Sequence, residues 1–151
     1  MDDIKLFLAH AIRVERDAAR RYDELMHAMR SIGNRDVEEL FSRLGELSRM
    51  HLTDAMERGG FRDVPNLGPD EFQWPDGVSP EAVSWAGVDD QIDVAGALQA
   101  ALAGEQSGRD YYAAMAKNSP DPEVRQMAQQ FADEESEHVA ELERWIARAG
   151  A

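Results

Sequence analysis

The chain has 151 residues, 30 of them acidic and 16 basic, for a formal net charge of −14; the length is that of one domain with a core of its own. Such a charge excludes nucleic acid and anionic membrane surfaces as partners, because both would repel it, while it attracts cations. There is no cysteine, which excludes disulfides, iron–sulfur clusters and thiol catalysis and leaves His, Asp and Glu as the side chains able to hold a metal.

Residues 2–31 contain neither Gly nor Pro. They carry Ile4, Leu8, Ala11, Glu15, Ala18, Tyr22, Leu25 and Met29 at the 4-3 spacing of one helix face. Charges flank the short apolar stretch at its start, so it does not read as a secretory signal. Gly33-Asn34 ends this helix. A second is predicted over 36–58, with Val37, Phe41, Leu44, Ser48, His51 and Ala55 in its stripe, closed by Gly59-Gly60. Residues 61–90 hold four of the six prolines and read as a connecting segment. Within it Phe61, Phe72, Trp74 and Trp85 are expected to pack over the rest, and Ser79-Pro80-Glu81 to start a short helix. A third helix is predicted over 91–117, with Leu98, Ala101, Glu105, Gly108, Tyr112 and Met115 in phase. A fourth follows over 122–149, with Asp121 as N-cap, Pro122 in its first position and Val124, Ala128, Phe131, Glu135, His138, Leu142, Trp145 and Ala149 in its stripe.

Four amphipathic helices make an all-α four-helix bundle. Short connections make helices 1 and 2, and helices 3 and 4, antiparallel neighbours. The connection of about 30 residues between helices 2 and 3 is long enough to run the length of the bundle, so those two helices are expected to be parallel. Residues 1–151 thus read as one domain. No apolar run reaches the roughly 20 residues of a membrane span, and a cytoplasmic location is expected. The apolar Leu40, Leu47 and Leu52 beside the second stripe give that helix a wide apolar face, and a homodimer is expected from it.

The informative residues are those that break the stripes. Glu15, Ser48, His51, Glu105, Glu135 and His138 occupy core-facing positions near the middle of their helices, where a bundle brings them to one level. Buried carboxylates are costly unless paired or bound to metal. Glu135 and His138 form Glu-x-x-His, whose spacing aims both side chains from one helix face. Oxygen and imidazole donors suit iron, manganese or zinc. The two halves also match each other: Glu15 falls on Glu105, His51 on His138, and Ser48 on Glu135. His10 and His27 lie off the stripe and are expected at the surface. In the acidic run 133–135 only Glu135 has the inward phase, and Asp54 flanks the stripe. Tyr22 and Tyr112 are expected in the core, bonded to the carboxylates. Arg109, four residues after Glu105, is a candidate partner that would compete with a metal.

These features, with Gly104-Glu105 and the run Phe131-Ala132-Asp133-Glu134-Glu135-Ser136-Glu137-His138, resemble the rubrerythrin-like branch of the ferritin-like di-iron carboxylate superfamily. The resemblance spans nearly the whole chain. It implies a ferritin-like bundle in which Glu15, His51, Glu105, Glu135 and His138 hold iron, as two ions, or as one ion or another transition metal. It further implies an oxidoreductase acting on peroxide or on dioxygen and Fe(II), with an external electron donor. The alternatives are a non-catalytic iron-binding protein and a structural module with a degenerate site. The chain departs from the family at Ser48, where a bridging Glu is usual, at Gly108, where a further Glu is frequent, and in having no cysteine-rich electron-transfer module.

Overall fold

In the computed structural model, residues 3–65 and 92–149 are described, and all regular structure among them is helical. The helices are α1 (Asp3–Ser31), α2 (Arg35–Gly59), α3 (Val94–Asn118) and α4 (Pro122–Ala149). Local chemistry sets their ends. Gly33, at φ 77°, takes the left-handed conformation that an L side chain resists. Asn34 then caps α2, its side-chain oxygen accepting the Val37 N–H at 3.0 Å. At the other end Gly60, at φ 70°, lets its own N–H reach the Glu57 carbonyl and the Phe61 N–H reach Met56 at 2.9 Å, a turned C-terminus that satisfies the last carbonyls. Asp121 does cap the last helix, accepting the Glu123 N–H at 2.9 Å. The third helix starts later than its periodicity predicts. Asp93 accepts the Gly96 N–H at 2.7 Å, and this cap places the first turn after residue 93 rather than at 91.

The topology follows from which residues meet. Along α1 from Tyr22 toward Phe7, the partners on α2 advance from Phe41 to His51. Those on α3 advance from Glu105 to Tyr112. Both helices are therefore antiparallel to α1 and parallel to each other, as the long crossover requires. Across the bundle Arg43 pairs with Glu141 and His51 with Glu134, so α2 and α4 run in opposite senses.

The core is divided. One apolar cluster gathers Phe7, Leu8, Tyr112, Phe131 and their neighbours at one end. A second gathers Tyr22, Leu25, Met29, Phe41, Leu44, Leu98 and Leu142 toward the other. Between them the buried polar residues Glu15, Ser48, Glu105, Glu135 and His138 form a layer. Each cluster excludes water from one side of that layer, and burial on this scale is the main stabilising term of the fold.

Two further sequence expectations change in detail. His10 is not at the surface but 2 % exposed. Its ring is accommodated because Nδ1–H donates to the Leu6 carbonyl at 2.7 Å, and because α1 is buried around most of its circumference rather than along one stripe. His27 is exposed, as expected. The apolar surplus of α2 is used within the chain: Leu40 is buried, while Leu47 and Leu52 are partly buried against the two clusters. Phe61 packs on the first cluster. Phe72, Trp74, Trp85 and the Ser79-Pro80-Glu81 start lie outside the described residues.

Candidate metal centre

The layer holds all five candidate ligands. Glu15 comes from α1, His51 from α2, Glu105 from α3, and Glu135 with His138 from α4. Glu15, Glu105, Glu135 and His138 are buried, and His51 is half-buried. Two sets of donors close to within 4.8 Å: Glu15, His51 and Glu135 in one, Glu105, Glu135 and His138 in the other. Glu135 belongs to both. The rings of His51 and His138 lie nearly parallel, with centroids 5.9 Å apart.

The pair distances fit ions. His51 Nδ1 lies 3.6 Å from Glu15 Oε1. His138 Nδ1 lies 3.4 Å from Glu105 Oε2 and 3.9 Å from Glu135 Oε2. Ligands held about 2.0–2.2 Å from one ion stand roughly 3–4 Å from one another. Donors of this hardness, without thiolate, match iron, manganese or zinc.

Protons balance the charge when metal is absent. Burial pushes the Glu105 carboxyl up, but hydrogen bonds with Glu135, His138 and Tyr22 outweigh it and hold the group below the usual carboxylate range. The hydrogen bond to Glu15 raises the pKa of His51 against the effect of burial. Burial lowers that of His138, but Glu105 raises it further. Three carboxyl groups thus face two imidazoles that favour the charged form. Cations would occupy the same positions.

The surrounding hydrogen bonds orient the carboxylates. The Tyr22 hydroxyl donates to Glu105 Oε1 at 2.6 Å, and the Tyr112 hydroxyl to Glu15 Oε1 at 3.5 Å. Both tyrosines are fully buried. Ser48, 3 % exposed, occupies the layer where the pseudo-symmetric position of α4 has Glu135. Arg109 pairs with Asp110 and leaves Glu105 to its other partners. Asp54 pairs with Arg58 at the surface.

One contact is not legible in the helical phase. Glu134, next to Glu135 in the acidic run, places Oε2 3.3 Å from His51 Nε2. The available signal is weak: Glu134 precedes His138 by one helical turn and so flanks the face that meets α2. Beside it Ala11, Glu15, His51, Asp54, Ala55 and Phe131 surround a space of about 10 Å³, on the scale of one water molecule.

Comparison with known proteins agrees with this geometry. The family model described as Rubrerythrin matches residues 96–150, which include Glu105, Glu135 and His138. The chain is 34 % identical to an uncharacterized conserved protein from Magnetospirillum magnetotacticum MS-1, whose crystal structure superposes with a TM-score of 0.76 over 94 % of this chain and 92 % of that one. No functionally curated protein matches. The stripe-breaking residues, their meeting in one buried layer and these two likenesses place the chain in the rubrerythrin-like branch of the ferritin-like superfamily.

Proposed function

We propose that the chain is a non-haem di-iron oxidoreductase acting on peroxide, or on dioxygen with Fe(II). The observation that carries the proposal is the sharing of Glu135 by two donor sets, each completed by one further Glu and one His. Two iron ions, when bound, supply the electron pair that reduces peroxide to water, and an external donor restores it. Glu105 and His138 would hold one position, Glu15 and His51 the other, with Glu135 between them. The hydroxyls of Tyr22 and Tyr112 hold Glu105 and Glu15 in place. The apolar clusters keep water from both ends of the layer. The space beside His51 is on the scale of one water molecule, which suits a small oxidant rather than a larger substrate.

Metal analysis of protein purified without chelator, followed by mixing of the anaerobic Fe(II) protein with peroxide, tests this. The expected result is close to two irons per chain and rapid oxidation with peroxide consumed. A second reading is favoured by Ser48, which removes one bridging carboxylate: the chain then binds iron without turnover. Iron retained with no faster oxidation than free Fe(II) would establish that reading instead. Protein that takes up no metal would leave a structural module. We also propose a homodimer, supported now by the apolar surface that α2 still leaves open, Met50 at 59 % exposure beside the half-buried Leu47; light scattering at micromolar concentration tests it.

A further inference from the structure

Glycine within a helix is destabilising relative to alanine, so one buried in the middle of α2 calls for a cause. Gly45 is buried, and a Cβ built on it would stand 3.1 Å from the Cβ of Tyr22 in α1. Carbon atoms pack best at about 3.5–4.0 Å. The atom met is the first of the tyrosine side chain, which no change of rotamer moves away, so only a shift of α1 itself would relieve the contact. Glycine at position 45 thus sets how closely α1 lies on α2 at the level of Tyr22. One turn earlier in α2, Phe41 packs on the Tyr22 ring, with centroids 5.9 Å apart. The tyrosine is placed at its base by Gly45 and at its ring by Phe41. Its hydroxyl then crosses to the other hairpin and donates to Glu105 Oε1 at 2.6 Å.

The pseudo-symmetric half of the bundle offers an internal comparison. The correspondence that sets Glu15 on Glu105 sets Tyr22 on Tyr112, and the one that sets His51 on His138 sets Gly45 on Ala132. Tyr112 and Ala132 share one apolar cluster. In that half, where alanine stands in place of glycine, the hydroxyl lies 3.5 Å from Glu15 Oε1. Bonds between hydroxyl and oxygen are commonest at about 2.7–2.8 Å, so the Tyr22 bond is a short one and the Tyr112 contact a long one. A short bond can only lengthen or bend when the base of its tyrosine is displaced. We infer that Gly45 is a positioning residue for Glu105: it admits Tyr22 close enough to α2 for the hydroxyl to fix that carboxylate in the layer, whereas Ala132 leaves the corresponding bond to Glu15 long. The bearing of this on metal rests on the two-metal reading given above.

The ordinary alternative is that Gly45 serves packing alone. Four proteins of the full chain separate the two: wild type, Gly45→Ala, Tyr22→Phe and the double variant. In chelator-stripped protein, ultraviolet resonance Raman reads the donor strength of the Tyr22 hydroxyl as the difference between each protein and its Tyr22→Phe counterpart. Wild type should show a strong donor and Gly45→Ala a weaker one. Titration with Co(II), followed by calorimetry and visible absorption, then reads the centre. Wild type is expected to bind two equivalents. Tyr22→Phe should weaken one of them by about 10–100-fold and Gly45→Ala by about 10-fold, with altered visible bands in both. The double variant should match Tyr22→Phe alone, because the two changes act through one hydroxyl. Gly45→Ala protein with unchanged tyrosine bands would overturn the inference while leaving the metal centre intact. So would a loss of Co(II) affinity that adds in full to that of Tyr22→Phe. Wild type that binds no Co(II) would remove the two-metal reading, while the Raman comparison would still decide whether Gly45 sets the tyrosine. Alanine favours a helix, so Gly45→Ala retains the fold, and circular dichroism of each variant verifies this.

Discussion

The rings of His51 and His138 stack across the bundle at 5.9 Å, 13° from parallel, although the two residues come from different hairpins. Two imidazoles that both favour the charged form would repel at this distance. They are held there by Glu15 and Glu105, one facing each ring. The pair is thus a consequence of the carboxylates, and its charge state answers to them.

This gives a pH dependence of definite sign for metal-free protein. His51 and His138 both titrate above the ordinary value of 6.5. Their contribution to stability is complete below the unfolded pKa and is lost as pH rises through the raised folded values. Thermal melts of chelator-treated protein should therefore show a falling Tm from about pH 6.5 upward. Metal reverses the trend, because ions need neutral rings and displace the protons. The stabilisation conferred by Fe(II), measured anaerobically, should grow over the same range. A metal-free Tm that climbs across that window would contradict the charged pair.

The two tyrosines should contribute unequally. Tyr22 donates to Glu105 at 2.6 Å and Tyr112 to Glu15 at 3.5 Å. A hydrogen bond to a buried charge contributes about 1.5–3 kcal/mol, and a long, poorly formed one less. Tyr22→Phe should thus destabilise metal-free protein by about that amount, and Tyr112→Phe by under about 1 kcal/mol. Urea denaturation at neutral pH measures both. Equal losses would show that ring packing rather than the hydroxyl sets the cost.

Much of this arrangement is legible in the sequence, for a physical reason. The 4-3 spacing assigns residues to a face, and a titratable group in an apolar stripe is costly enough to need a cause. Glu15, Glu105, Glu135 and His138 stand out on that ground, and each is buried in the layer. Glu134 does not stand out, because phase assigns its Cα to the flank while a long side chain reaches across to α2. His10 is hidden for a different reason. A single-stripe reading supposes that α1 buries one face, whereas α1 is enclosed on most sides. The start of α3 also escapes periodicity, since Asp93 acts through its cap and not its hydropathy.

His10 should impose an opposite pH dependence on the acid side. Burial lowers its pKa despite the hydrogen bond to the Leu6 carbonyl. The unfolded chain then takes up the proton first, and stability falls as pH drops below the unfolded value of about 6.5. His10→Gln removes this titration while keeping an N–H donor for the Leu6 carbonyl. The variant should lose less Tm than wild type between about pH 7 and pH 5. The same loss in both proteins would assign the acid sensitivity to carboxylates instead.

Ser48→Glu places a carboxylate beside His51 as Glu135 stands beside His138. Ser48 is 3 % exposed, so the new group enters the layer that already holds Glu15, Glu105 and Glu135. Without metal, an uncompensated buried charge costs on the order of 3–5 kcal/mol, and the variant should melt below wild type. With Fe(II), the added carboxylate completes the second donor set and should raise both iron occupancy and Tm relative to the metal-free variant. The sign of the difference between wild type and variant thus depends on whether cations sit in the layer. Melts of both proteins, each with and without anaerobic Fe(II), read that sign directly. Fe(II) should narrow the gap or invert it. A variant destabilised equally in both conditions would mean that nothing binds between the two histidines, and that protons alone balance the carboxylates.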